Sequence, residues 1–512
     1  MDIADHAAAT PDKVALVMGS GARRTYGDLT RRSNRVAQLL YGAGLRRGDG
    51  VLLMLPNRPE FFEVTWAAQR SGLYYTPVNT HLTSDEVAYI VRDSGARALV
   101  IDAEFGSLAQ KLQSVDRQLV LQLSVGGGSA GYDDYDEALA GAREDPPPEP
   151  SQGTEMMYSS GTTGYPKAVH RPLPGPEGSW AQTRVEEGLR TMYGMTPSDV
   201  YLSPAPLYHS APLAYSMGTM RMGATALVME RFDAERCRQL IERERVTHAQ
   251  FVPTMFVRML KLPAEVRDRY DLGSLRAALH AAAPCPVEVK AAMMKWWGPI
   301  IYEYYAGTEG FGATFIGPDD WLAHPGSVGK PNNPVHIVGE DGLEAAVGEP
   351  GSIYFEGGPP FEYYNDPAKT ASISNDQGWR TLGDVGYVDE EGYLYLTDRA
   401  TFMVVSGGVN IYPQEIENVL IMHPQVADAA VFGVPNDDFG EEVKAVVQPA
   451  DWTDVGRGLD AELMEFCHSR LAGYKCPRSV DFARELPRDP NGKLYKRRLR
   501  DQYWEGLSTR LL

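Results

Sequence analysis

The chain has 512 residues, 43% hydrophobic and 23% charged, a composition that excludes a disordered or fibrous protein and leaves room for about three average domains. Its 49 basic residues against 68 acidic ones give a net charge of −19, which argues against nucleic acid or an anionic membrane surface as the main partner. An anionic small ligand must then be met by a locally built set of donors.

The elements predicted in chain order alternate strand and helix. Leu29 to Leu40 has helical apolar spacing, and Val51 to Leu55 reads as a buried strand. Glu60 to Gly72 is predicted helical, Tyr74 to Val78 extended, Ser84 to Ser94 helical and Ala98 to Ile101 a strand. Gly126-Gly-Gly128 and Pro146-Pro-Pro-Glu-Pro150 read as loops. Further strands are expected at Thr225 to Met229, His248 to Val252 and Ala277 to His280. From Gly326 to Leu396 the texture changes to short extended pieces, among them Gly351 to Phe355 and Gly392 to Leu396. A helix from Pro413 to His423 and a strand from Asp428 to Val434 then open a compact tail.

The fold class expected is α/β: a large N-terminal domain of doubly wound parallel sheets with a small β-rich subdomain, then a small α+β C-terminal domain. The boundary falls near residues 397 to 401, giving domains 1–398 and 399–512. The four cysteines, Cys237, Cys285, Cys467 and Cys476, form no CxxC pair or zinc-like spacing and suit a reducing compartment. The N-terminus carries no basic region followed by an apolar run, and no apolar stretch has spanning length. A soluble, cytoplasmic protein is expected.

Chemistry concentrates in a few stretches. Ser159-Ser-Gly-Thr-Thr-Gly-Tyr-Pro-Lys167 packs hydroxyls, two glycines and a lysine into nine positions, so that backbone NH groups and hydroxyls can wrap phosphate oxygens. Its glycine and lysine spacing differs from a Walker loop.

From Tyr158 to Lys167 the chain resembles the signature of adenylate-forming enzymes, the superfamily of acyl-CoA synthetases, peptide-synthetase adenylation domains and luciferases. Tyr305-Ala-Gly-Thr-Glu309, Leu382-Gly-Asp384, Asp398-Arg399, Gly407-Gly-Val-Asn-Ile-Tyr-Pro413 and Pro487-Arg-Asp-Pro-Asn-Gly-Lys493 resemble further signatures of that superfamily, in its order. Together they cover nearly the whole chain. The resemblance implies an N-terminal domain that binds ATP and a carboxylic acid, and a mobile C-terminal domain carrying a catalytic lysine. A carboxylate first attacks the ATP α-phosphate and expels pyrophosphate; a nucleophile then takes the acyl group and AMP leaves.

The same resemblance assigns residues. Ser159, Ser160, Gly161, Thr162, Thr163, Gly164 and Lys167 would hold the phosphates, with Thr308 on the α-phosphate. Glu309 would meet Mg²⁺, a cation that prefers oxygen ligands. Tyr305 would stack on adenine beside Ala282 and Ala283, within His280-Ala-Ala-Ala-Pro-Cys-Pro286, and Asp384 with Arg399 would bind the ribose. Lys493 would bridge carboxylate and α-phosphate, and His209 would line the acyl pocket, near Tyr208, Met217, Phe251, Phe311 and Phe315.

Coenzyme A is the leading acceptor, with Gly407 and Gly408 on the pantetheine tunnel and Phe439, Lys475 and Arg478 toward the nucleotide end. Three positions depart from the superfamily pattern: Ala306 where glycine is usual, Thr401 at the hinge where aspartate or lysine is frequent, and Cys476 where some CoA ligases carry a basic residue. An amine or a carrier-protein phosphopantetheine remains an alternative acceptor. A non-catalytic nucleotide-binding scaffold is the contrasting class, and it predicts loss of Lys493, Glu309 or Asp384; all three are present.

Overall fold

A computed structural model describes residues 2–113, 118–159, 166–175, 183–399, 402–436, 438–488 and 494–504, the side chain of Arg399 excepted. The chain divides into two compact units. One comprises Met1–Phe251, Val257–Leu279 and Pro359–Ala371; the other Val252–Phe256, His280–Gly358 and Ser372–Leu512.

The first unit is built on parallel strands. Its six-stranded sheet runs Asp133–Asp134, Leu121–Val125, Ala98–Asp102, Gly50–Met54, Tyr74–Pro77, Thr154–Glu155, every pair parallel. Parallel strands joined by helices are buried on both faces, which is why Gly50–Met54 and Ala98–Asp102 are apolar without alternation and buried throughout. A second parallel set aligns His248–Phe251, Val200–Ser203, Thr225–Val228 and Val14–Met18, with Arg23–Thr25 antiparallel at its edge.

Local chemistry sets the helix starts. Tyr26–Gly42 opens on a capping box, Thr25 accepting from the Asp28 NH while the Asp28 carboxylate accepts from the Thr25 NH, and Ser84–Asp93 repeats it with Thr83 and Glu86. Pro59–Arg70 starts on its proline, whose fixed φ suits the first helical position. The apolar stripe of Tyr26–Gly42, Leu29, Val36, Ala37 and Leu40, joins one core with Phe61, Phe62, Val64 and Trp66.

The second unit is antiparallel where the sequence texture becomes β-rich. Val335–Val338, Gly351–Phe355, Arg380–Val388, Leu394–Arg399, Ser327–Pro331, Ala313–Ile316 and Ile301–Ala306 lie side by side in that order. The strand expected from Gly392 starts instead at Leu394, because Gly392 has φ +83 and its NH closes a turn on the Asp389 carbonyl.

Toward the C-terminus a five-stranded sheet pairs Val426–Asn436 with Gly440–Pro449 over nearly their full length, and Ser479–Phe482 adds parallel to the latter. Period two sorts its faces. Ala429 and Val431 pack with Ile416, Leu420, Leu459 and Leu463, whereas Ala430, Phe432 and Val434 pack with Leu486, Leu499 and Tyr503. Truncating a fully buried aromatic such as Phe432 to alanine costs about 3–5 kcal/mol.

Candidate active site

In the first unit, Met157–Ser159 and Lys167–His170 are antiparallel neighbours with Ser159 opposite Lys167, so the two described ends of the hydroxyl- and glycine-rich stretch are register partners. Ser159 Oγ donates to the Lys167 carbonyl at 3.3 Å. Glu362–Tyr363 pairs with the other edge of Lys167–His170. The turn that follows places Asp366 so that its carboxylate accepts from the Lys369 NH at 2.9 Å and lies 2.7 Å from Lys167 Nζ. That hydrogen bond raises the Lys167 ammonium above its ordinary value and lowers the Asp366 carboxyl. Just ahead of the stretch, the Tyr158 phenol donates to Asp93 at 2.7 Å, and burial, then that carboxylate, pushes it up. Ser160, Gly161, Thr162, Thr163 and Gly164 lie outside the described residues.

His209 occupies the N-cap of helix Ser210–Arg221, its ring 4.6 Å from that of Tyr208. Tyr208 is buried, and its ring lies 6.5 Å from that of His81. Of the other residues expected near an acyl pocket, Met217 lies in the hydrophobic core, while Phe251 and Phe311 are fully buried. Phe315 packs on Tyr304 with ring centroids 6.1 Å apart.

In the second unit the expected nucleotide residues come together. The Tyr305 phenol donates to Asp384 Oδ2 at 2.6 Å, joining strand Ile301–Ala306 to strand Arg380–Val388. Asp384 stands opposite Arg399 in register. Thr308 and Glu309 fill the turn closed by the Gly310 NH on the Gly307 carbonyl at 3.1 Å. A Cβ on Gly307 would crowd the Leu382 methyls and stand 2.7 Å from Glu309 Oε2, so a larger residue there would have to displace these side-chain ends. Ala306 is tolerated where glycine is usual because it ends the strand, paired with Ala313, at a negative φ.

After strand Ala277–His280, Ala282 holds φ +74, a conformation non-glycine residues seldom adopt, and Ala283 follows it. Behind this turn is a group that sequence reading missed. Glu303 Oε2 lies 2.6 Å from Lys290 Nζ and 3.3 Å from His280 Nε2, and all three side chains are buried. Lys290 Nζ also sits 4.8 Å from the centre of the Trp321 ring. Burial alone would push the Glu303 carboxyl up, but the neighbouring His280 and Lys290, the latter donating a hydrogen bond, outweigh it and hold it down at about 2. Burial pushes the His280 imidazole and the Lys290 ammonium below their ordinary values.

Farther along, Gly407 and Gly408 take φ +57 and +80 in the turn between Val404–Ser406 and Val409–Ile411. The Gly407 NH donates to the Phe439 carbonyl at 2.9 Å, which sets the exposed Phe439 ring against that turn. Lys475 does not stand alone: its Nζ is 2.7 and 2.9 Å from the two Glu415 oxygens. Arg478 is exposed, and its NH bonds the Val443 carbonyl. Cys476 is buried in the core of this region, so the departure there is a packing residue. The Arg399 side chain, Thr401 and Lys493 lie outside the described residues.

Asp93, Asp366, Lys290 and Glu303 were missed because each acts through a partner distant in sequence. The one local sign was the turn-forming Asn365-Asp-Pro367 run, in which Asn365 takes φ +56.

The Tyr305–Asp384 hydrogen bond with the Thr308–Glu309 turn in one unit, and in the other a hydroxyl- and glycine-rich stretch that ends in Lys167, are each compatible with the class that the family comparison shows, a nucleotide-dependent acid ligase. The chain belongs to the AMP-binding enzyme family, whose model matches residues 3–364, while the model of the AMP-binding enzyme C-terminal domain matches residues 415–493. It is 34% identical over 499 residues to the long-chain-fatty-acid–CoA ligase FadD13 of Mycobacterium tuberculosis, covering 94% of this chain and 93% of that one. Among solved structures, ATP-bound MatB from Rhodopseudomonas palustris superposes with TM-score 0.81 at 28% identity over 99% of both chains. The amide bond synthetase McbA from Marinactinospora thermotolerans superposes with TM-score 0.79 at 28% identity over 98% of this chain and 99% of that one. The enzyme is thus an AMP-forming ligase of acyl-CoA ligase type. Among the described residues no helix is long and apolar enough to cross a membrane.

Proposed function

We propose that this enzyme condenses a carboxylic acid with ATP to an acyl-adenylate, releasing pyrophosphate, and passes the acyl group to coenzyme A as a thioester. The observation that carries the reading is the Tyr305–Asp384 hydrogen bond, which sets an aromatic face and a ribose-competent carboxylate beside the Thr308–Glu309 turn. Likeness to a fatty-acid–CoA ligase supports coenzyme A as the acceptor.

In this reading Ser159, Ser160, Gly161, Thr162, Thr163, Gly164, Lys167 and Thr308 bind the phosphates, Ala282, Ala283 and Tyr305 the base, and Asp384 with Arg399 the ribose. His209 lines the path of the acid. The donor set fits Mg²⁺: the Glu309 carboxylate is a hard oxygen ligand, and this ion commonly needs one or two carboxylates plus the substrate phosphates. When bound, it would offset the phosphate charge. Residues 1–398 form the ATP- and acid-binding domain and residues 399–512 the domain that delivers Lys493, with Thr401 at the hinge. Gly407, Gly408, Phe439, Lys475 and Arg478 receive the acceptor. The free cysteines suit a cytoplasmic setting.

Supplying ATP, Mg²⁺ and a panel of carboxylic acids with coenzyme A or simple amines separately, and identifying products by mass spectrometry, tests the reading. Thioester is the expected product. Amide formed without coenzyme A would move the protein to the chemistry named for McbA. Absence of pyrophosphate exchange with every acid would overturn the ligase reading. Lys493→Ala is expected to slow exchange about 100- to 1,000-fold, with ATP affinity within about threefold.

A further inference from the structure

The basic run Lys496-Arg-Arg498 opens helix Lys496–Trp504, and its first residue is set apart: Arg497 and Arg498 are exposed, whereas Lys496 is buried. Its Nζ lies 2.8 Å from Glu417 Oε1, and the two side chains are 6% and 8% exposed. A lysine and a glutamate taken out of water are costly, and well-packed apolar side chains of similar volume commonly hold a fold as well or better. What the pair joins is more telling than its energy.

Glu417 lies in helix Pro413–Leu420, and the oxygen that meets Lys496 also accepts from the Val431 NH, on strand Val426–Asn436, at 2.7 Å. The Lys496 ammonium sits 5.3 Å from the centre of the Phe402 ring, which directly follows Thr401 in the chain. In sequence, Lys496 also comes just after Lys493. The chain ahead of Lys493 is pinned on the same strand: Arg488 Nε and Nη2 donate to the two Asp428 oxygens at 2.5 and 2.8 Å. Arg488 and Leu494 form an antiparallel bridge, and the Tyr495 NH donates to the Pro487 carbonyl at 2.8 Å. Leu494 packs against the cluster of Ala430, Phe432 and Leu486. Both flanks of Lys493 are thus tied to one strand, Arg488 directly and Lys496 through Glu417. A short segment with tied ends has far fewer placements open to it than a free one.

We infer that Lys496 and Glu417 are positioning residues for Lys493, and that their buried pair serves the adenylation step alone. The inference rests on the adenylation reading above, in which Lys493 bridges carboxylate and α-phosphate. Displacements near 1 Å cost about 100-fold in well-oriented sites, so loss of the pair falls on the rate of that step. Lys493 acts before the adenylate exists, and transfer of a preformed acyl group makes no use of the tie.

The test uses the full-length enzyme and measures the two half-reactions apart. Adenylation is followed by pyrophosphate exchange, and transfer by product formation from the chemically prepared acyl-adenylate and the acceptor, coenzyme A or amine, that the product panel identifies. Lys496→Met/Glu417→Met replaces the pair by apolar side chains and is expected to fold. Its kcat for exchange should fall about 100-fold with KM for ATP within about threefold, and its transfer rate should stay within about twofold of wild type. Lys496→Arg, which keeps the charge, should hold exchange within about fivefold of wild type. Wild-type exchange in the double variant overturns the inference, and so does an equal loss of both half-reactions, which would leave the pair a role in the fold only. Should the double variant fail to fold, Glu417→Gln serves instead, and the same comparison of half-reactions decides. If the wild-type enzyme exchanges pyrophosphate with no acid, the adenylation reading fails on its own. Amide hydrogen–deuterium exchange then decides the positioning role. A rise of about tenfold in Glu417→Gln confined to the peptide around Lys493 supports it, and unchanged protection there rejects it.

Discussion

Two lysines in this molecule hold a carboxylate at almost the same distance: Lys167 with Asp366 at 2.7 Å and Lys290 with Glu303 at 2.6 Å. Their surroundings differ. The side chains of the first pair are 29% and 25% exposed, those of the second 0% and 8%. In water a lysine exchanges one anion for another at little cost, whereas a buried charge that loses its partner is left uncompensated. The exposed Lys167–Asp366 pair can thus exchange partners readily, as the phosphate role proposed for Lys167 requires, whereas Lys290 is fitted to keep its partner throughout.

The sharpest way to break this comparison is to remove each lysine alone. Lys290→Ala leaves Glu303 buried without its closest cation and is expected to cost about 3–5 kcal/mol of stability, read as a lowered thermal midpoint or urea midpoint. A loss under about 1 kcal/mol would mean that water reaches the site and that the two pairs are alike. Lys167→Ala should leave the thermal midpoint unchanged while kcat/KM for ATP in exchange falls about tenfold or more, the loss of one charge-assisted phosphate contact. Destabilisation without that kinetic loss would give Lys167 a structural role only.

The smallest effect is in acid. Glu303 is held at about 2 against an ordinary 4.5, so a folded carboxyl with a lowered value contributes stability that is complete above about pH 4.5 and lost as pH falls toward 2. Between pH 6 and pH 3 the thermal midpoint of the wild-type enzyme should therefore fall further than that of Lys290→Met/Glu303→Met. Parallel profiles would assign the acid sensitivity to other carboxylates.

What the sequence made legible follows from the range of the interactions involved. The helices within Tyr26–Gly42 and Ser84–Asp93 were visible because apolar spacing is local. Gly50–Met54 was visible because a strand buried on both faces is apolar at every position. Strand Val426–Asn436 runs beyond the expected Asp428 to Val434, since its length is set by ladder bonds to Gly440–Pro449, a property of the partner. The candidate site divides the same way. Tyr305, Glu309 and Asp384 stood in recognisable short stretches, but Glu303 looked like one polar residue within an aromatic strand, and Lys290 like the charged face of a helix. Their partnership arises only once the chain has folded, as does the partnership of Lys167 with Asp366.

If Tyr305 stacks on the base as proposed, its hydrogen bond to Asp384 carries a consequence for the thermodynamics of nucleotide capture. A phenol tethered at its oxygen has already lost the rotameric freedom that an untethered tyrosine would surrender when a base stacks on it, so that entropy is spent in folding instead of in binding. Preorganisation of this kind favours affinity without adding a contact. It also separates Tyr305→Phe from a simple deletion: the stacking face survives, and what is lost is its readiness.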